Sequence, residues 1–440
     1  MQTNAWDVVV IGAGAAGLMA ATAAAASGAK TLVLEKNRKI GVKILMSGGT
    51  RCNITHHCDR KEIVKAFGKN GKFLHSALAT LPPERVVEML EGEGVKTKVE
   101  ATGKVFPVSD RAIDVRDALV RLATKATAKI ETDQAVESIE LNRDAFEGEE
   151  RTHRFQISTP DSTVQSSSLI ITTGGKSYPG CGTTGDGYAW AEQFQHAILP
   201  TYPALTPIVL PPGWVQSLKG ITIDPVVIRV LEFTTAECSG KAKTLAQRQG
   251  SLLFTHWGLS GPAALDVSRE IASHPQRRRL ELAIDFLPQR QLSSLENEFQ
   301  ALRQQVGGSS ASNMVANWFP RRLAETMLEL ASIAPDQRLA EISKQHQQKL
   351  WSTLKDCRVG VSGTLGFEKA EVTHGGVCLK QIDSRTMSSK YQPGLFFAGE
   401  ILDLDGFIGG YNFQAAFSTG WLAGIEAAKF ALQPTCQSIL

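Results

Sequence analysis

Cysteine is scarce in this chain: seven residues among 440, odd in number, scattered and never spaced C-x-x-C. That excludes a disulfide framework and a zinc ribbon, and points to a reducing compartment. The adjacent pair His56-His57 has no third ligand at metal spacing, so no metal is expected. Uninterrupted apolar runs of about 18 residues are missing, which excludes a helical membrane span. The nearly apolar stretch 8–29 follows no basic segment and is broken by Gly12, Gly14 and Gly17, so it does not read as a secretory signal. A cytoplasmic location is expected. Charge of one sign is missing too: 47 Lys and Arg face 44 Asp and Glu, and the basic run Arg277-Arg278-Arg279 stops at three. Without clustered cations to neutralise phosphates, neither nucleic acid nor membrane is an expected partner, which leaves a small-molecule substrate.

The composition that is present, 42% hydrophobic and 21% charged, suits a folded core spread over about three domains. Residues 7–11 carry Val8-Val9-Val10-Ile11, a β-branched run that reads as a buried parallel strand. Gly12-Ala13-Gly14-Ala15-Ala16-Gly17 follows at once and opens an alanine-rich helix ending at Gly28. A second strand, 30–34, closes on Glu35, 18 residues beyond Gly17. Each position has a mechanical reason. Gly12 permits the tight turn, Gly14 lets backbone approach a pyrophosphate, and Gly17 seats the helix on the strand. N–H groups at the helix start face the phosphates, and Glu35 accepts from an adenosine ribose. An acid there favours a free 2′-hydroxyl, hence NAD or FAD over NADP. A second G-x-G-x-x-G, Gly180 to Gly185, lacks a strand directly before it and an acid after it, so it reads as a loop of the same site rather than an NAD domain.

The segment 41–53 then departs from an ordinary NAD dehydrogenase. Ser47-Gly48-Gly49 offers backbone N–H groups, while Arg51 and Asn53 add polar contacts from one loop. With Gly103-Lys104-Val105-Phe106-Pro107, Leu253 to Pro262, Thr173-Gly174-Gly175-Lys176-Ser177-Tyr178-Pro179, Gly185-Asp186-Gly187-Tyr188, and Gly394 to Glu400 through Gly409-Gly410-Tyr411-Asn412, these blocks make the chain resemble the HI0933-like family of flavoproteins. Thr50 departs from that pattern, which has a third glycine there. The resemblance implies FAD, contacted by Gly12, Gly14, Ala15, Ala16, Gly17, Glu35, Lys36, Lys43, Ser47, Gly48, Gly49, Arg51, Cys52, Asn53, Ala135, Val136, Thr173, Gly174, Gly175, Gly399, Glu400, Gly409, Gly410, Tyr411 and Asn412. By the same resemblance Glu400 meets the ribitol or pyrophosphate, and the helix at 413–429 points its positive end at the flavin N1–C2=O locus.

The implied fold is α/β: a Rossmann-like FAD-binding domain of the glutathione-reductase type, with a β-rich, barrel-like insertion domain and a helical sub-domain. Strands at 135–141, 154–158 and 163–168 form a meander feeding a buried strand at 169–175. Prolines from Pro200 to Pro212 mark a linker. Strands follow at 221–234, 251–255 and 279–286, then helices at 292–305, 314–332 and 337–354, and a last strand pair at 358–372. The expected division is FAD domain 1–197 and 373–440, β-rich substrate domain 198–288 and 357–372, and helical insertion 289–356.

FAD itself carries hydride or electrons, so the protein must supply orientation and a proton. Tyr178, His256 and Arg51 are the candidate catalytic side chains, with His374 and Tyr411 beside them. Cys52 and Cys58, with five residues between them, do not match a redox pair, and Cys52 reads as a packed residue. The expected activity is FAD-dependent oxidoreduction of a small molecule, with NAD(P)H as a possible transient reductant. The alternative is a flavin-bearing RNA-modifying or nucleic-acid-binding protein.

Overall fold

The computed structural model describes residues 4–142, 153–233 and 242–433. Thr234, which ends one expected strand, and Cys238 and Cys436 lie outside them. Among the described residues no helix is long and apolar enough to cross a membrane. The chain forms two compact units: Met1–Tyr202 with Glu371–Leu440, and Pro203–Ala370.

In the first unit the strand Asn4–Ile11 pairs in parallel with Thr31–Leu34 on one side and Thr163–Ile171 on the other. Lys129–Glu131 extends the sheet beyond Thr31–Leu34. Side chains alternate across the sheet: Val8 and Val10 join the core that holds helix Ala15–Ala26, while Val9 and Ile11 join the opposite core with Ile157 and Phe397. Burial on both faces is why the run is continuously apolar rather than alternating.

One element differs from its sequence reading. Residues 163–168 and the returning strand from Leu169 are a single nine-residue strand, Thr163–Ile171. Its first half pairs antiparallel with Phe155–Ser158, and its last three residues pair parallel with Leu395–Phe397. Ser168 resembles a break in the sequence but is buried, and its hydroxyl donates to the Ala427 carbonyl at 3.0 Å. The C-terminal helix Tyr411–Leu432 packs on Ala15–Ala26 through a seam of small residues. A β-carbon on Gly420 would fall 2.2 Å from the Ala16 carbonyl oxygen, and one on Gly424 would fall 2.2 Å from that of Ala20.

The second unit is a seven-stranded antiparallel sheet in the order Cys357–Gly360, Leu280–Asp285, Thr222–Glu232, Lys243–Phe254, Gly258–Ser260, Ile208–Val209, Gly363–Thr364. Its two edge strands are separated in sequence by Val361 and Ser362 alone, so the sheet must curl to bring its edges within reach of that short connection. Phe254, Phe286 and Phe299 anchor its core. The helix expected at 314–332 is two helices, Ala311–Val315 and Arg321–Leu330. Pro320 between them lacks an N–H and steers its predecessor out of helical geometry.

Candidate flavin site

A groove wholly within the first unit encloses about 1340 Å³, part of it open to solvent. The fingerprint turn supplies Gly12, Gly14, Ala15 and Ala16 to its wall, the second strand supplies Glu35 and Lys36, and Ala135 and Val136 join them. Lys43, Thr173, Gly174, Gly399, Glu400 and Asn412 also line it. The glycines divide by what surrounds them. A β-carbon on Gly17 would lie 1.8 Å from the Gly12 carbonyl oxygen, and one on Gly12 would lie 2.9 Å from that of Thr172. Those two hold the turn closed. Gly14 faces the groove with nothing within 4 Å of an added β-carbon, so its bareness keeps space for a ligand.

Glu35 is 7% exposed, and both of its oxygens are held. One accepts from the Ala13 N–H at 2.8 Å, the other from the Asn37 N–H and side-chain amide at 2.9 Å each. Lys36 donates to Asp186 at 2.5 Å and Thr184 at 2.7 Å. Burial pushes the Asp186 carboxyl up, but the Lys36 ammonium and the Thr184 hydroxyl outweigh it and leave the group below its usual range. Asp186 begins the helix Asp186–Gln193, whose cap is Gly185 in the left-handed conformation. Cys181, Gly182, Thr183 and Asp186, from the second glycine motif, line the same groove.

Lys43, Ser177 and Glu400 form a closed polar triangle. The Lys43 ammonium donates to the Ser177 hydroxyl at 2.6 Å and pairs with Glu400, and the Ser177 hydroxyl also donates to Glu400. The Thr373 N–H adds a 3.0 Å bond to the same carboxylate. Ser177 and Thr373 were not singled out from sequence; each is a common residue at a strand or loop end, 134 and 330 positions from Lys43.

The loop 47–53 turns through three successive left-handed residues, Gly48 (φ 55°), Gly49 (φ 67°) and Thr50 (φ 71°). The geometry explains the third glycine of the family pattern, since a β-branched side chain is strained there. Cys52 is fully buried and its thiol is pushed up to about 12, so it is a packed, un-ionised residue. Arg51 stacks over Phe106 at 4.0 Å and pairs with Glu100 and Asp110, and it does not line the groove. Tyr178 is left-handed (φ 53°) and half-buried, and burial raises its phenol. His256 belongs to the second unit, exposed on the turn after the strand Lys243–Phe254, with its ring 4.6 Å from Trp257. Tyr178 and Arg51 thus belong to the first unit and His256 to the second.

Gly409 (φ 139°) and Gly410 (φ 94°) turn the chain into the C-terminal helix. Tyr411 stacks on His56 at 4.7 Å, and Asn412 ties the loop back to Gly406 at 2.8 and 3.0 Å. One groove-lining residue carries a buried oxygen with no protein partner, Thr173 Oγ1. Buried polar atoms are seldom left unpaired, so it fits a polar ligand such as FAD. FAD bound there would supply hydride or electron transfer, and Glu35, the bare backbone at Gly14 and the triangle at Lys43 are the groups that would hold it.

Several known proteins resemble this chain over nearly its whole length. "Ribosomal RNA dihydrouridine synthase" of Escherichia coli (strain K12) is 35% identical over 419 residues, covering 94% of this chain and 96% of that protein. A protein of the same description from Haemophilus influenzae is 33% identical over 425 residues, covering 96% and 98%. "3-dehydro-bile acid delta(4,6)-reductase" of Clostridium scindens is 30% identical over 423 residues, again covering 96% and 98%. Residues 6–426 match the family described as "HI0933-like protein Rossmann domain". The chain belongs to this HI0933-like family and is an FAD-dependent oxidoreductase.

Proposed function

We propose that this enzyme reduces a carbon–carbon double bond conjugated to a carbonyl, and that its substrate is a uridine of ribosomal RNA. The observation that carries the reading is the near-complete, 35% identical match to the Escherichia coli protein of that description. Dihydrouridine is uridine with its ring double bond saturated, and a steroid dienone reductase performs the same kind of addition, so the family's chemistry is shared even where substrates differ. This reading sets aside the expectation of no nucleic-acid partner. Charge distribution supports it: residues 203–370 hold 19 Lys and Arg against 15 Asp and Glu, while the rest of the chain holds 28 against 29. Trp257, 50% exposed beside His256, offers a face on which a base stacks. NADH or NADPH is the proposed reductant.

The test is anaerobic incubation of the yellow holoprotein with an unmodified ribosomal RNA transcript and each nicotinamide nucleotide, followed by nucleoside mass spectrometry. A gain of two hydrogens on a uridine is the expected result. Failure on RNA together with reduction of a steroid enone would replace this reading with the bile-acid one, which the Clostridium scindens relative favours.

A further inference from the structure

Beyond the groove, three titratable side chains of the first unit meet without a role in anchoring FAD. His374 Nδ1 lies 2.8 Å from Asp405 Oδ1, and ligand-type atoms of His374, Asp403 and Asp405 all lie within 4.8 Å of one another. Asp403 and Asp405 are each 7% exposed, while the imidazole of His374 keeps an open edge at 26%. The three side chains do not themselves line the groove, but chain neighbours of the cluster do. Val372, which lines the groove, precedes His374 by two residues on the strand Val372–Val377, and alternate residues of a strand share a face. Leu404, between the two aspartates, also lines it.

We propose that His374, oriented by Asp405, gives the substrate its proton during reduction. The inference rests on the reductase reading above. Saturating an enone adds a hydride at the β-carbon and a proton at the α-carbon. FAD, when bound and reduced by a nicotinamide, would supply the hydride, and a side chain of the protein would supply the proton. The bond to Asp405 commits Nδ1 and leaves Nε2 as the exchangeable position. From the imidazolium, the Nε2–H bond breaks as the α-carbon–hydrogen bond forms and the enolate returns to a carbonyl. The neutral ring then takes a proton from water. Burial holds the Asp403 carboxyl above its usual range, against the opposing donor Asn70. The groups facing the cluster are Lys69 and Asn70, Tyr202 stacked on His374 at 6.5 Å, and Tyr188. Asp405 is a positioning residue in this scheme.

The experiment compares wild type, His374→Gln and Asp405→Asn as holoproteins. Each is first checked for an unchanged flavin spectrum and FAD affinity, then reduced with dithionite and mixed anaerobically with the unmodified RNA transcript between pH 6 and 9. His374→Gln is expected to slow reoxidation by about 10²-fold or more and to lose the pH dependence of wild type. Asp405→Asn should shift that pH profile. Independently, ¹⁵N resonances of the imidazoles should show His374 protonated at Nδ1 across the range, and the preference should disappear in Asp405→Asn. Reoxidation of His374→Gln within about threefold of wild type at every pH overturns the proposal. Should wild type itself stay reduced, the RNA reading fails. The tautomer then judges the dyad alone, and a neutral ring protonated at Nε2 overturns it.

Discussion

Thr50 stands where three left-handed residues follow one another, and it is exposed with φ at 71°. A β-branched residue in that region costs of the order of 1–3 kcal/mol, part of which glycine returns as extra freedom of the unfolded chain. Thr50→Gly is therefore expected to stabilise the protein by about 1 kcal/mol, read as a higher urea midpoint at unchanged slope. A lower midpoint would mean that the hydroxyl or methyl anchors the loop. His196 illustrates the opposite balance. It is 2% exposed, its Nε2 meets the Ser389 hydroxyl at 2.8 Å, and burial alone drives its pKa down to about 4. Because the folded value lies below the unfolded value of about 6.5, the unfolded chain binds the extra proton more tightly. The stabilisation is complete above about pH 6.5 and is lost as pH falls toward 4, at most about 3 kcal/mol. His196→Gln should flatten the stability curve in that window, and an unchanged slope would show that another group governs it.

At the scale of elements, glycines in and facing the first helix separate packing from binding. A methyl group on Gly424 would strike the Ala20 carbonyl oxygen at 2.2 Å, so the two helices would have to part. Gly424→Ala should cost roughly 1–3 kcal/mol by overpacking, visible in the apoprotein's melting temperature. Gly14→Ala meets no protein atom within 4 Å and should melt normally while binding FAD at least tenfold more weakly, as followed by flavin fluorescence. Equal melting losses in both variants would deny Gly14 its ligand-facing role. This contrast also marks what the sequence made legible. Strand, fingerprint, helix and Glu35 are neighbours along the chain, so local spacing was enough to read them. The partners of Arg51 were not legible, because Glu100 and Asp110 lie 49 and 59 positions away and only the fold brings them to its guanidinium. Thr163–Ile171 was misdivided for a related reason: a serine looks like a strand end until the Ala427 carbonyl that satisfies it is in view.

At the scale of the whole molecule, the two units keep separate cores. One hydrophobic cluster draws only on residues of 203–370, including Phe254, Phe286 and Leu350, and the clusters on the two faces of the parallel sheet draw only on the first unit. The chain leaves the first unit and re-enters it at neighbouring points. The Cys378 N–H donates to the Ala197 carbonyl at 3.0 Å, and a β-carbon on Gly375 would lie 2.2 Å from the Pro200 carbonyl oxygen. A short flexible linker is enough to span such ends, and the closure entropy it adds grows only slowly with length. Residues 1–202 joined to 371–440 through a Gly/Ser linker are thus expected to fold and to bind FAD, because every residue lining the groove is retained. The same chain should bind RNA far more weakly, since the basic surplus and Trp257 are gone. Absorbance near 450 nm after reconstitution reads the first outcome, and a salt-dependent shift with the RNA transcript reads the second. A colourless product that nevertheless shows cooperative unfolding would mean that FAD binding draws on residues of 203–370, and the groove in the first unit would then be incomplete as a flavin site.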